Sequence, residues 1–132
     1  MAQIEIEGKL PLVLVAEDDE SNFKLIKAVI GKKVELVWAR TGVEIIDNYR
    51  ALKGQARKIL MDLKMPVMDG IKATKTIREE DKEIPIIAQT AYAFECDRER
   101  ALGAGCNGIM VKPITLQTMR STITQYIPEV VW

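Results

Sequence analysis

Acidic side chains stand directly after two apolar segments of this chain, where they could hold a metal ion. Glu17 and Asp18 follow the segment Leu12–Ala16, and Asp62 follows the segment Ile59–Met61. Carboxylates that cluster repel one another unless a cation neutralises them. Magnesium suits such a place because it accepts one or two carboxylates, keeps several waters and bridges to phosphate oxygens. The sequence therefore predicts a Mg²⁺ site with Asp18 and Asp62 as direct ligands and Glu17 acting through a bound water.

A hydroxyl group and an ammonium group follow two further apolar segments. Thr90 follows Ile86–Gln89, and Lys112 follows Ile109–Val111. An aspartate beside a metal ion can attack phosphorus and form an aspartyl-phosphate. The transferred group carries charge on three oxygens, which need positioned cations and hydrogen-bond donors. We therefore predict Asp62 as the nucleophile, with Mg²⁺, Lys112 and the Thr90 hydroxyl (together with nearby backbone amides) each meeting one oxygen.

The composition excludes several other kinds of chemistry. The 132 residues include no histidine, so this sequence has no imidazole metal ligand, no Ser-His or Cys-His nucleophile pair and no phosphohistidine. Nineteen basic residues balance nineteen acidic ones, which leaves no overall charge to attract nucleic acid or an anionic membrane. Cys96 and Cys106 have no disulfide or metal spacing, and no apolar run approaches the ~20 residues of a membrane span. We expect a cytoplasmic domain that contacts neither nucleic acid nor membrane.

Short apolar segments alternate with helical patterns along the chain, which is typical of repeated βα units. Strands are predicted at Leu12–Ala16, Val34–Ala39, Ile59–Asp62, Pro85–Thr90 and Gly108–Val111, with Lys58 before the third strand. Right-handed crossovers would wind them into a three-layer α/β fold, a (βα)₅ doubly wound parallel sheet with the flavodoxin-like strand order 2-1-3-4-5. That order makes the first and third strands neighbours, so that their acidic ends meet. The predicted domain covers residues 12–132, after an N-terminal tail or linker over residues 1–11.

Helix signals occur between these strands. Asp19 and Asp69 are predicted caps, and Thr41 with Glu44 forms a capping box. The first helix is predicted to bury one apolar face, formed by Leu25, Ile26, Val29 and Ile30.

Four segments of the chain, in this order, resemble the CheY-like receiver domain of two-component response regulators. They are Val13–Glu20, Ile59–Gly70, Ile84–Ala91 and Gly108–Pro113, and the resemblance extends from about residue 12 to residue 127. The run Met-Pro-Val-Met-Asp-Gly is most similar to receivers of hybrid sensor histidine kinases. The irregular segment 1–11 favours a domain cut from a longer protein of that kind.

The resemblance implies a signalling module of a phosphorelay, not an enzyme with a separate substrate. Asp62 would accept phosphate from the phosphohistidine of a histidine kinase or of a histidine phosphotransfer domain. Asp18, Asp62 and the backbone carbonyl of Lys64 would ligate Mg²⁺, while Thr90 would report phosphorylation and Lys112 would pair with the phosphoryl group. The face formed by the fourth helix, fifth strand and fifth helix is the expected switching and dimer surface.

Two other functions stay open. A Mg²⁺-dependent phosphohydrolase could also use an aspartyl-phosphate, although the best-known family of that kind carries its nucleophile after the first strand and not the third. A degenerate receiver could serve only as a docking module, although the joint presence of Asp18, Asp62, Thr90 and Lys112 argues against this.

Two side chains are predicted to set the lifetime of the phosphoryl group. Lys64 lies two residues after Asp62, and Tyr92 lies two residues after Thr90. Both are long or bulky, so we expect them to obstruct water that attacks the phosphorus.

Two further positions bear on switching. Ile109 stands where many receivers carry Tyr or Phe, so we expect a modest shift of loop and helix instead of an aromatic flip. The Lys112–Pro113 peptide bond is predicted to be cis, because a tertiary amide lowers the cost of that geometry to ~0.5–1 kcal/mol.

Overall fold

Five strands and five helices alternate along residues 10–91 and 95–132, the part of the chain that the computed structural model describes. The strands are β1 (Leu12–Ala16), β2 (Glu35–Ala39), β3 (Ala56–Asp62), β4 (Ile86–Thr90) and β5 (Gly108–Val111). The helices are α1 (Glu20–Ile30), α2 (Gly42–Ala51), α3 (Gly70–Glu80), α4 (Glu95–Ala104) and α5 (Leu116–Tyr126). All strand pairs are parallel in the order β2-β1-β3-β4-β5, which confirms the predicted flavodoxin-like fold.

The sheet separates two apolar layers. Leu14 of β1 belongs to the layer under α2, α3 and α4, which includes Ile45 and Ile77. Val15 belongs to the opposite layer, under α1 and α5, with Ile26. Every residue of β1 is buried, as expected for an interior strand of a sheet that is covered on both faces.

Three strands begin at residues other than those predicted. β2 begins one residue later, because the Val34 amide still donates to the Ile30 carbonyl at the end of α1. β4 begins after Pro85, which has no amide proton for the sheet. β3 begins at Ala56, three residues earlier than predicted, so Lys58, which was expected before the strand, lies inside it.

The first helix buries a narrower face than predicted. Ile26 and Ile30 are buried, and Val29 is partly buried. Leu25 is 51% exposed, so its predicted place on the buried face is wrong. Successive side chains of an α-helix point about 100° apart around its axis. Leu25 therefore lies at the edge of the buried stripe that Ile26 and Ile30 form.

Side-chain caps fix the starts of the helices near the carboxyl edge of the sheet. Asp19 Oδ1 accepts a hydrogen bond from an amide of the first turn of α1 at 2.8 Å, and Asp69 Oδ1 does the same for α3 at 2.9 Å. Thr41 Oγ1 accepts from the Glu44 amide at 3.1 Å. The three predicted caps are present, but the Glu44 carboxylate accepts from the Arg40 amide at 3.2 Å, one residue before the Thr41 amide that a capping box would use. Within residues 10–91 and 95–132, no helix has the length and apolar character needed to cross a membrane.

Candidate functional site

The ends of β1 and β3 bring the three predicted acidic side chains together. Ala16 pairs with Met61 in the sheet, so the residues that follow them lie side by side. One carboxylate oxygen from each of Glu17, Asp18 and Asp62 lies within 4.8 Å of the other two. Glu17 and Asp62 are buried, whereas Asp18 is exposed at the mouth of the cluster.

Lys112 extends from the end of β5 to two of these carboxylates. Its Nζ donates to Glu17 Oε1 at 3.0 Å and to Asp62 Oδ2 at 3.2 Å. Its backbone amide donates to the Thr90 carbonyl at 2.7 Å, which ties the end of β5 to β4. The Lys112–Pro113 peptide bond is cis, in the geometry that the sequence predicted.

The cluster is short of positive charge. Burial, and then the hydrogen bond and negative charge of Asp62, raise the pKa of Glu17 to about 7, although Lys112 opposes them. Burial lowers the pKa of Lys112, but its contacts with Glu17 and Asp62 outweigh burial and raise that pKa overall. Lys112 therefore does not neutralise the acidic pair Glu17 and Asp62. This donor set fits Mg²⁺, which favours oxygen ligands and supplies the missing charge.

An aromatic stack, which the sequence reasoning missed, holds the backbone of Glu17. The Glu17 amide donates to the Ala39 carbonyl at 2.9 Å, and the indole Nε1 of Trp38 donates to the Glu17 carbonyl at 2.7 Å. The Trp38 ring stacks on Phe23 with 4.4 Å between centroids, and the Arg40 guanidinium lies 4.2 Å from the centroid of the Trp38 ring. α1 and β2 thus fix the position of an acidic residue that belongs to neither element.

The loop after β3 holds the Asp62 carboxylate in place. The Lys64 amide donates to Asp62 Oδ1 at 3.1 Å, and the Leu63 amide donates to the Gln89 carbonyl at 3.0 Å. Gly70, the first residue of α3, packs so closely that a Cβ atom there would clash with the Asp62 carbonyl oxygen. α3 can begin directly against the strand only because that position has no side chain.

The remaining predicted residues lie at or near the same edge. Thr90 is 3% exposed and lines the cleft that contains Asp62 and Lys64. Ile109 is partly buried and packs against the apolar layer on the α2–α4 side. Tyr92 lies outside the described residues, so its predicted place beside the cleft stays a prediction.

An apolar groove runs between α1 and the start of α5, beside the acidic cluster. It is lined by Asn22, Leu25, Ile26, Val29, Gln89, Lys112, Pro113, Ile114, Thr115 and Met119. Gln89 is fully buried, and neither its amide nitrogen nor its amide oxygen has a hydrogen-bond partner among the described residues. Asn22 and Lys112 line both the groove and the cleft around Asp62, so the two adjoin.

The chain matches the family model of the response regulator receiver domain over residues 13–124. Over 96% of its length it is 38% identical to hybrid signal transduction histidine kinase I of Dictyostelium discoideum. It spans only 8% of the length of that kinase.

Two solved structures have the same fold. The receiver domain of the sensor histidine kinase PA1611 from Pseudomonas aeruginosa, with a magnesium ion coordinated in its active site cleft, has a TM-score of 0.82 and 29% identity, over 91% of this chain and 99% of that one. A chain in the co-crystal structure of the Saccharomyces cerevisiae histidine phosphotransfer protein Ypd1 with the receiver domain of Ssk1 has a TM-score of 0.81 and 30% identity, over 89% of this chain and 88% of that one.

Proposed function

Since the chain belongs to the response regulator receiver domain family of two-component signalling, we propose that Asp62 accepts a phosphoryl group from the phosphohistidine of a partner in a Mg²⁺-dependent transfer. One observation carries this proposal. The buried Asp62 carboxylate lies within 4.8 Å of two other carboxylates, and its Oδ2 contacts Lys112 at 3.2 Å. A nucleophilic carboxylate, a metal-binding set and a fixed cation thus lie at one strand edge.

The metal ligands in this proposal come from the ends of β1 and β3. Asp18 and Asp62 would bind Mg²⁺ directly, the Lys64 carbonyl would be a third ligand, and Glu17 would act through a bound water. When bound, Mg²⁺ supplies positive charge to the phosphoryl oxygens and relieves repulsion between the carboxylates. The magnesium-bound Pseudomonas receiver supports this assignment by its similarity.

The transfer moves one phosphoryl group and needs no other reactant. An oxygen of Asp62 attacks the phosphorus, a P–O bond forms and the P–N bond of the partner's phosphohistidine breaks. The Lys64 amide, which already binds Asp62 Oδ1, restrains the carboxylate during attack. Lys112 then pairs with a phosphoryl oxygen, and the Thr90 hydroxyl donates to another.

We propose that the phosphodonor is a histidine kinase or a histidine phosphotransfer domain in the cytoplasm, and that it docks over the groove between α1 and α5. The groove lies beside the cleft, since Lys112 lines both, and the structure with Ypd1 supports a partner of this class.

The face of α4, β5 and α5 is the proposed switching and dimer surface. Leu102 and Val111 are 43% and 46% exposed there, which supports an apolar contact.

A chemical phosphorylation assay tests the proposed function. The chain is incubated with acetyl phosphate or phosphoramidate, with and without Mg²⁺, and its bound phosphate is measured by intact mass. We expect one acid-stable, base-labile phosphate per chain that depends on Mg²⁺ and is absent from Asp62→Asn. Repeated turnover of a phosphate ester without a stable adduct would indicate a phosphohydrolase. No incorporation under any condition would indicate a docking module.

A further inference from the structure

Lys58 is a fully buried lysine in the interior of β3. It has no exposed surface and is among the largest side chains that are fully buried. Its Nζ donates to the backbone carbonyl of Thr122 on α5 and to the Thr122 hydroxyl, the latter at 2.9 Å. The same nitrogen lies 4.9 Å from the centroid of the Tyr126 ring. Two oxygens and one aromatic face, all on α5, therefore surround an amine that comes from the sheet.

No carboxylate among the described residues pairs with this amine. Val13, its neighbour in β1, is apolar, and α5 offers only Thr122 and the Tyr126 ring. Arg57, the residue before Lys58 in β3, forms a two-hydrogen-bond ion pair with Glu129, at 2.8 and 2.9 Å. That pair is exposed and neutral as a unit, so it does not replace a counterion for Lys58.

A buried ammonium without a counterion is costly, because water solvates the charge far better than two oxygens and a ring do. Burial accordingly lowers the pKa of Lys58 from 10.5 to about 7. The last turns of α5 cover the amine, so they must separate from β3 before water can reach it. Exposure to water stabilises the charged amine more than the neutral amine, so protonation favours the separation.

We propose that Lys58 is a proton-dependent latch between β3 and α5, in which protonation loosens the C-terminal half of α5 from the sheet and deprotonation tightens it. This latch would make the proposed switching surface sensitive to pH, because α5 is one of its three elements. The inference does not depend on phosphorylation of Asp62, and it can be tested on the unphosphorylated chain.

The size of the effect follows from proton linkage. If the amine has its ordinary pKa of 10.5 when α5 opens and a pKa of about 7 when α5 is seated, the opening equilibrium rises as pH falls between those two values. Between pH 8.5 and pH 7 the rise is about 15-fold. Below pH 6 the equilibrium changes little, because both states then carry the proton.

Two measurements on the full 132-residue chain test the latch. In an NMR titration with lysine labelled at the ε carbon with ¹³C, we expect one ε resonance, assigned by its nuclear Overhauser contacts with the Tyr126 ring, to titrate near neutral pH. In amide hydrogen exchange, corrected for intrinsic rates, protection of residues 119–126 should fall about 15-fold from pH 8.5 to pH 7, while residues 12–16 of β1 change much less.

Lys58→Met should abolish the pH dependence in α5, and Lys75→Met, which removes an exposed lysine of α3, should leave it unchanged. The proposal is overturned if the Lys58 resonance titrates near its ordinary pKa of 10.5, or if β1 loses protection as much as α5. The wild-type titration decides the first point even if Lys58→Met does not fold.

Discussion

The indole Nε1 of Trp38 donates a 2.7 Å hydrogen bond to the backbone carbonyl of Glu17. The Glu17 carbonyl accepts this hydrogen bond from the adjacent strand, while the Glu17 carboxylate accepts another from Lys112 Nζ. A side chain at the end of β2 therefore positions a carboxylate at the end of β1. The indole lies outside the group of residues that would touch metal or phosphate, so its contribution can be measured separately from theirs.

Trp38→Phe should weaken Mg²⁺ binding while the fold is retained. Phenylalanine can still stack on Phe23 but cannot donate to Glu17, and such a hydrogen bond contributes about 0.5–1.5 kcal/mol. We expect a fall of about two- to tenfold in Mg²⁺ affinity, measured by calorimetric titration. Trp132→Phe is the matched control, because it removes the other tryptophan. Equal Mg²⁺ affinity in Trp38→Phe and wild type would show that the indole does not position Glu17.

Asp18→Ala should raise the stability of the metal-free protein while abolishing Mg²⁺-dependent phosphorylation. The substitution removes one of three carboxylates that lie within 4.8 Å of one another, so repulsion decreases. We expect a gain of about 1 kcal/mol in the free energy of unfolding in the presence of a chelator, measured by urea denaturation. A clear loss of stability would mean that Asp18 has a structural role.

The buried lysine also predicts how global stability depends on pH. The folded pKa of Lys58 is about 7 and its ordinary value is 10.5, so between these values the unfolded state binds more protons than the folded state. The free energy of unfolding should therefore rise with pH in this window, by at most about 1.4 kcal/mol per unit. Below pH 6, Lys58 should add no pH dependence to the free energy of unfolding, because it is protonated in both states.

Lys58→Met should remove that slope and stabilise the protein at pH 7 by up to about 4 kcal/mol, the linkage cost of a pKa lowered from 10.5 to about 7. Chemical denaturation between pH 6 and pH 9 measures both effects. A slope that persists unchanged in Lys58→Met would assign the pH dependence to another group.

Gln89→Leu should stabilise the protein, because the Gln89 amide is buried without a partner among the described residues. Removal of an unsatisfied buried amide is worth about 1–3 kcal/mol. Phosphorylation by acetyl phosphate should be unaffected, since the amide lies in the groove and not in the cleft. If Gln89→Leu is less stable than wild type by thermal denaturation, the amide has a partner in solution.

Lys64→Ala combined with Tyr92→Ala should shorten the lifetime of the phosphorylated form. Lys64 is exposed and lines the cleft around Asp62, and each tenfold change in hydrolysis rate corresponds to only ~1.4 kcal/mol of barrier. We expect loss of phosphate to accelerate by about tenfold, followed by intact mass after the phosphodonor is removed. The proposed shielding is wrong if the double variant loses phosphate at the wild-type rate.

The site could be predicted because its parts follow apolar strands directly. In a parallel sheet the carboxyl ends of neighbouring strands share one edge, so Asp18, Asp62 and Lys112 needed only the strand order to be placed together. Burial of Lys58 could not be predicted in this way. A lysine after Arg57 resembles the exposed start of a strand, and only the packing of α5 over β3 makes it an interior residue.

The contribution of Trp38 was missed for a similar reason. A tryptophan at the end of β2 has no motif that links it to Glu17, which lies 21 residues earlier in the chain. The contact arises because β2 pairs with β1, and its energy depends on the direction of one N–H bond. Strand order predicts which backbones are adjacent but not which side chain crosses between them.

Asp62 and Lys58 lie on the same strand, four residues and about 13 Å apart. If phosphorylation at one end of β3 changes how firmly α5 sits at the other, thermodynamic reciprocity requires the proton on Lys58 to change the phosphorylation equilibrium by the same factor. The pH would then change the phosphorylation equilibrium of Asp62 through β3 and α5, without any direct contact between Lys58 and the phosphoryl group. A receiver of this kind would integrate two inputs along one strand.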